Sequence, residues 1–125
     1  MEFSFWRASI PGSRRAGVGV PGAWCIVTAR NPMSRVLDEA SNAARDAELD
    51  AALARERLES CPAENRAADG LWREPARMVV GISRERGLAI ARRFGQRAIV
   101  WSGRGKVGLL DCRTEAWVVR PTYAA

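Results

Sequence analysis

The densest apolar run in the chain is Ala23-Trp24-Cys25-Ile26-Val27-Thr28, which is continuous rather than alternating and rich in β-branched and aromatic residues. Such a run suits a strand buried on both faces. Asn31-Pro32 ends it, because the proline drives the preceding residue toward extended or turn geometry. From Leu37 to Arg57 the apolar spacing becomes that of a helix, with Asp38 and Glu39 in its first turn, where the macrodipole favours acids. This helix has two apolar faces. Ala40, Ala43, Ala44, Ala47, Ala51, Ala54 and Leu58 form one stripe, while Leu49 and Leu53 lie nearly opposite, together with Asn42. Small alanines allow close approach to a sheet, so the stripe is expected to face inward. That leaves Leu49 and Leu53 as an outer apolar patch for self-association or a protein partner, or else packed under a loop or the N-terminal segment.

Further along, Leu58 to Cys61 predicts a short second strand. Pro62 to Pro75 reads as a polar loop with an Asp69-Gly70 turn. Arg77 to Ile82 is a third strand, and Ser83 is a good N-cap for a second helix over Arg84–Phe94. In that helix Leu88, Ile90, Ala91 and Phe94 face the core, Arg86, Arg92 and Arg93 face water, and Gly95 supplies the left-handed stop. Ala98–Trp101 is a fourth strand, joined through Ser102-Gly103-Arg104-Gly105 to a fifth over Lys106–Asp111. Ala116–Val119 is a further short strand. The order β-α-β-β-α-β is that of a ferredoxin-like α+β fold with helices on one face of a mainly antiparallel sheet and one or two extra C-terminal strands.

At 125 residues and 47% hydrophobic the chain fits one domain with a proper core. Residues 23–113 are expected to form it. Residues 1–22, punctuated by Pro11, Gly12, Gly17, Gly19, Pro21 and Gly22, read as a flexible extension in which Phe3, Phe5, Trp6 and Ile10 can dock as a short strand. Residues 114–125 read as a tail or short added strand. No apolar run approaches the roughly 20 residues of a membrane helix. Ser13-Arg14-Arg15 is not followed by the hydrophobic stretch of an export signal, so a cytoplasmic protein without membrane contact is expected.

The formal charge is +6, and residues 77–113 carry nine basic residues against Glu85 and Asp111. An anionic partner should therefore prefer the C-terminal half. Of the 20 basic residues only Lys106 is lysine, a bias that a GC-rich genome also imposes. The basicity alone therefore does not establish nucleic-acid binding.

Catalytic and metal chemistry find little support. The chain has no histidine, which removes Ser-His and Cys-His nucleophile systems and the usual imidazole ligands of zinc. Cys25, Cys61 and Cys112 are widely spaced and read as reduced, small apolar residues. The carboxylates Asp38, Glu39, Asp46, Glu48, Asp50 and Glu56 are interspersed with Arg45, Arg55 and Arg57, the pattern of a solvated helix face with pairs such as Arg45–Glu48. Gly103-Arg104-Gly105-Lys106 lacks the Walker spacing, and the ribonucleoprotein motif is absent. No catalytic residue, cofactor or metal is expected.

Four pieces stand out together: Val27-Thr28-Ala29-Arg30-Asn31-Pro32-Met33-Ser34-Arg35, Asn42-Ala43-Ala44-Arg45, Val80-Gly81-Ile82-Ser83, and Ala91 through Trp101. In their order and spacing the chain resembles the bacterial domain-of-unknown-function family numbered 3293, over roughly Trp24 to Arg113. The resemblance implies no chemistry. Independently of it, the predicted topology gathers Asn31, Ser34 and Arg35, Asn42 and Arg45, and Gln96 and Arg97 at one sheet edge beside a helix N-terminus. These residues are a candidate pocket for a small anionic or carboxylate-bearing group, with Arg35 and Arg45 as the charged contacts; capping and turn roles are the competing explanation. Function narrows to a noncatalytic protein-interaction or regulatory module, or a binder of RNA or a small anionic ligand through the arginine-rich surface; an enzyme using an arginine–amide pocket ranks last, because no nucleophile or base presents itself. Strong salt dependence of binding would mark the anion binder.

Overall fold

The structure, a computed structural model, describes residues 5–10, 14–15, 22–66 and 73–119. In chain order it has β1 (Phe5–Ile10), β2 (Arg14–Arg15), β3 (Trp24–Val27), a 3-10 turn (Pro32–Ser34), α1 (Glu39–Arg55), β4 (Ser60–Arg66) and β5 (Arg73–Val80). Then follow α2 (Arg84–Arg93), β6 (Ala98–Gly103), β7 (Lys106–Asp111) and β8 (Trp117–Val119). The fold is α+β. The strands form one sheet in the order β2-β1-β4-β5-β3-β6-β7-β8, with every neighbouring pair antiparallel.

β3 sits inside the sheet, as its continuous apolar run requires. Trp24 pairs with Val80 of β5 on one side and Ser102 of β6 on the other, and all four residues of β3 are buried. Their side chains alternate between two cores. Cys25 and Val27 join Val79, Ile99 and Leu110 on the face that both helices cover, through Leu49, Ala52 and Leu53 of α1 and Leu88, Ile90 and Ala91 of α2. Trp24 and Ile26 join Cys61, Ala76, Met78, Val100 and Val107 on the opposite face.

Both helices begin on a side-chain cap. The Asp38 carboxylate accepts from Ser41 N at 2.7 Å, and Ser83 Oγ accepts from Arg86 N at 3.2 Å. Each cap satisfies a donor that the first helical turn leaves without a partner.

Two expectations are corrected. α1 is turned over relative to the alanine argument: Leu49 and Leu53 are each 1% exposed in the core, whereas Ala40, Ala43, Ala44, Ala47, Ala51 and Ala54 are all exposed. Burying a leucine removes far more apolar area from water than burying an alanine, so two leucines outweigh the longer stripe. Leu49 and Leu53 are therefore out of a partner's reach. The loop expected from Pro62 to Pro75 is largely strand. β4 and β5 pair from Ser60↔Val79 to Arg66↔Arg73, with Pro62 opposite Arg77 and Pro75 opposite Glu64.

Within the N-terminal extension, β1 pairs with β4 from Phe5↔Arg66 to Ala8↔Ala63. Residues 1–4, 11–13 and 16–21, residues 67–72 with the expected Asp69-Gly70 turn, and residues 120–125 lie outside the described residues. Among the described residues no helix is long and apolar enough to cross a membrane.

Candidate functional site

The loop after β3 is built on three non-glycine residues with positive φ: Asn31 (47°), Met33 (52°) and Ser34 (63°). Such conformations cost roughly 1–3 kcal/mol each and persist only where the surroundings hold them. Here the surroundings are specific. Met33 N donates to Gly95 O at 2.7 Å, which ties the loop to the turn after α2. Gly95 itself has φ 72°, and a Cβ there would lie 2.8 Å from Pro32 Cβ. Both the left-handed stop of α2 and the contact with Pro32 therefore demand glycine.

Asn42 completes the clamp from α1. Its Oδ1 accepts from Asn31 N at 3.0 Å, and its Nδ2 donates to Asn31 Oδ1 at 2.9 Å and Leu37 O at 3.3 Å. Asn31 Oδ1 also accepts from Leu37 N at 3.0 Å. With its acceptor side filled, the Asn31 amide is fixed, and its Nδ2 donates to Glu74 Oε2 at 3.2 Å.

Glu74 lies on β5 directly opposite Asn65 of β4, and both are 5% exposed. Burial raises the Glu74 carboxyl to about 7, against the opposing pull of hydrogen bonds from Asn31 and Asn65 and of the Arg30 charge. Arg30 is itself engaged by Asp46 at 2.7 Å and Glu39 at 2.9 Å. Asn65 Oδ1 is buried without a hydrogen-bond partner among the described residues.

These groups border a pocket of about 150 Å³ on the sheet face away from the helices. Its apolar wall comes from Ile26, Val36, Ala98, Ile99, Val100 and Leu109, and its polar wall from Thr28, Asn31, Ser34, Asn65, Glu74, Gln96 and Arg97. The combination of an apolar wall and a few convergent polar groups is that of a small-molecule site. The volume matches a cavity that holds one benzene-sized molecule.

Of the residues expected at the site, Asn31, Ser34, Gln96 and Arg97 line this pocket, while Arg35, Asn42 and Arg45 do not. The Arg45 guanidinium is spent inside the fold, donating from Nε to Ala29 O and from Nη2 to Phe94 O. It staples α1 to the ends of β3 and α2, and the expected Arg45–Glu48 pair is replaced by these two carbonyls. Gln96 Nε2 donates to Arg30 O at 3.0 Å and Phe94 O at 3.2 Å. Arg97 Nη2 makes a long contact to Met33 O at 3.3 Å and is otherwise exposed. Among the described residues, Arg97, and neither Arg35 nor Arg45, is thus the cation on the pocket wall.

A family profile described as "Protein of unknown function (DUF3293)" matches residues 27–99. The chain belongs to that family. The DUF3293 match spans every polar residue of the pocket wall, from Thr28 to Arg97, and stops short of Val100 and Leu109. No curated protein and no solved structure gives a significant match.

Thr28, Asn65 and Glu74 were not anticipated from sequence. The signal for Glu74 is the alternation Glu74, Ala76, Met78, all buried on one face of β5. Pro75 hides it by suggesting a loop. The cysteines behave as expected of small buried residues: all three are buried and unpaired, and burial pushes Cys25 up to about 12 and Cys112 up to about 11, far from the reactive thiolate range. Among the described residues no cluster of three or more metal-ligating side chains occurs.

Proposed function

We propose that this DUF3293 protein is a noncatalytic, regulatory module that binds a small carboxylate-bearing molecule in the pocket beneath the Asn31–Ser34 loop. The carrying observation is convergence: Asn31 and Ser34 from one loop and Gln96 and Arg97 from another meet over an apolar wall. Arg97 is the charged contact, since a guanidinium matches a carboxylate in geometry as well as charge. The frame for this reading is the ferredoxin-like split β-α-β-β-α-β. Its support is the strand order β4-β5-β3-β6 together with both helices on one face.

RNA is the weaker reading, because much of the basic C-terminal half is occupied internally. Arg77 pairs with Asp50 at 2.7 Å, Arg86 with Glu56 at 3.0 Å, and Arg92 with Glu115 at 3.4 Å. An NMR titration with isovalerate and with inorganic phosphate tests the proposal. Isovalerate should shift the amides of residues 31–34 and 96–100 first and in a saturable way. Shifts scattered over the surface, or none with either probe, would remove the carboxylate site.

A further inference from the structure

Among the described residues, the pocket wall holds more acceptor sites than donors that reach them. The Glu74 carboxylate has about four lone-pair sites, and among the described residues its side-chain donors are Asn31 and Asn65. With the Asn65 amide turned to give its N–H to Glu74, its Oδ1 has no partner among the described residues. A buried acceptor without a donor costs about 1–3 kcal/mol, and here a carboxylate with lone pairs to spare and a carbonyl oxygen without a partner among the described residues belong to residues facing each other across β4 and β5. Arg97 and Ser34 line the same small volume from the loops. One molecule able to satisfy both sets carries N–H donors and positive charge for the first, negative charge for the second, and a short apolar body for Ile26, Val100 and Leu109.

We propose that the pocket is a free amino-acid site: the ammonium of a small apolar α-amino acid sits against Glu74 and Asn65 Oδ1, its carboxylate faces Arg97, and its side chain rests on Ile26, Val100 and Leu109. An ammonium brings three donors and a full charge, which suits a buried carboxylate better than a neutral hydroxyl or amide does. The volume of about 150 Å³ limits the side chain to a few carbons. The inference rests on the carboxylate reading above and adds a second head-group contact to it.

L-valine, isovalerate and isobutylamine share a branched body and differ only in the two head groups, so they separate the two claims. With the full chain at pH 8, valine should bind at least about tenfold more tightly than isovalerate or isobutylamine, the discrimination expected when a site built for a polar group meets an analogue lacking it. Glu74→Gln should abolish the preference for valine over isovalerate, whereas Ala44→Leu, on the exposed face of α1, should preserve it. Equal binding of valine and isovalerate to the wild-type protein would overturn the amino-acid site and leave the carboxylate site standing. No binding of either would overturn both.

The pH dependence provides a second readout that needs no variant. Among the described residues, the charges that act on Glu74 are Arg30 from the loop after β3 and Asp46 from α1, and Arg97 from the turn before β6 lines the same pocket. Because Glu74 ionises near pH 7, valine affinity should rise between pH 6 and pH 8 while that of isovalerate does not. A flat or falling valine curve would overturn the ammonium contact.

Discussion

Glu74 illustrates how a single residue sets the pH response of this protein. Its carboxyl is raised to about 7 by burial, above an ordinary value near 4.3. Between these values the folded state holds a proton that the unfolded chain has lost, so stability is fully present below the unfolded value and declines as pH rises through the folded one. A shift of this size corresponds to about 3–4 kcal/mol. Urea midpoints should fall between pH 4.5 and pH 7 and then level off, and Glu74→Gln should flatten that limb. A wild-type curve flat over this range would show that the carboxyl is not desolvated. Asp38 and Asp111, which backbone donors hold below the ordinary carboxylate range, act only in more acidic solution and with the opposite sign.

At the scale of elements, the orientation of α1 makes a clear contrast. Leu49→Ala or Leu53→Ala should cost about 2–5 kcal/mol, because each leaves a cavity in a close-packed core. Ala44→Leu and Ala47→Leu, both on the exposed stripe, should stay within about 0.5 kcal/mol of wild type. Thermal denaturation of the four variants distinguishes this orientation from its reverse. The sequence marked the position and length of the helix but not its inward face, since alanines are compatible with either environment. Much of the remaining fold was legible. β3, α2, β6 and β7 each carry a periodicity, a cap or a turn signal of their own. β4 and the first half of β5 do not, because Pro62 and Pro75 occupy strand positions where proline is uncommon. The candidate site was legible in its loops, through Asn31, Ser34, Gln96 and Arg97. It was illegible in Asn65 and Glu74, whose meeting depends on a pairing register that the prolines obscure.

Over the whole molecule, ion pairs join elements remote in sequence. Arg30 links the end of β3 to α1, Arg77 links β5 to α1, and Arg92 reaches Glu115 before β8. Each pair uses one base and one acid, so the formal charge of +6 is unaltered while the elements are fastened together. The central strand has a consequence for how the chain assembles in time. β3 is the first strand of the helix-covered core to be synthesised, yet its partners are Val80 on one side and Val100 on the other, so long loops must close before it gains a neighbour. β6 and β7, by contrast, meet across the tight turn between Gly103 and Lys106. A hairpin seeded there, with α2 beside it, would form a template onto which β3 docks late. In folding kinetics Leu109→Ala should then slow refolding, whereas Ile26→Val should chiefly accelerate unfolding. The reverse pattern would place nucleation at the centre of the sheet rather than at its locally paired flank.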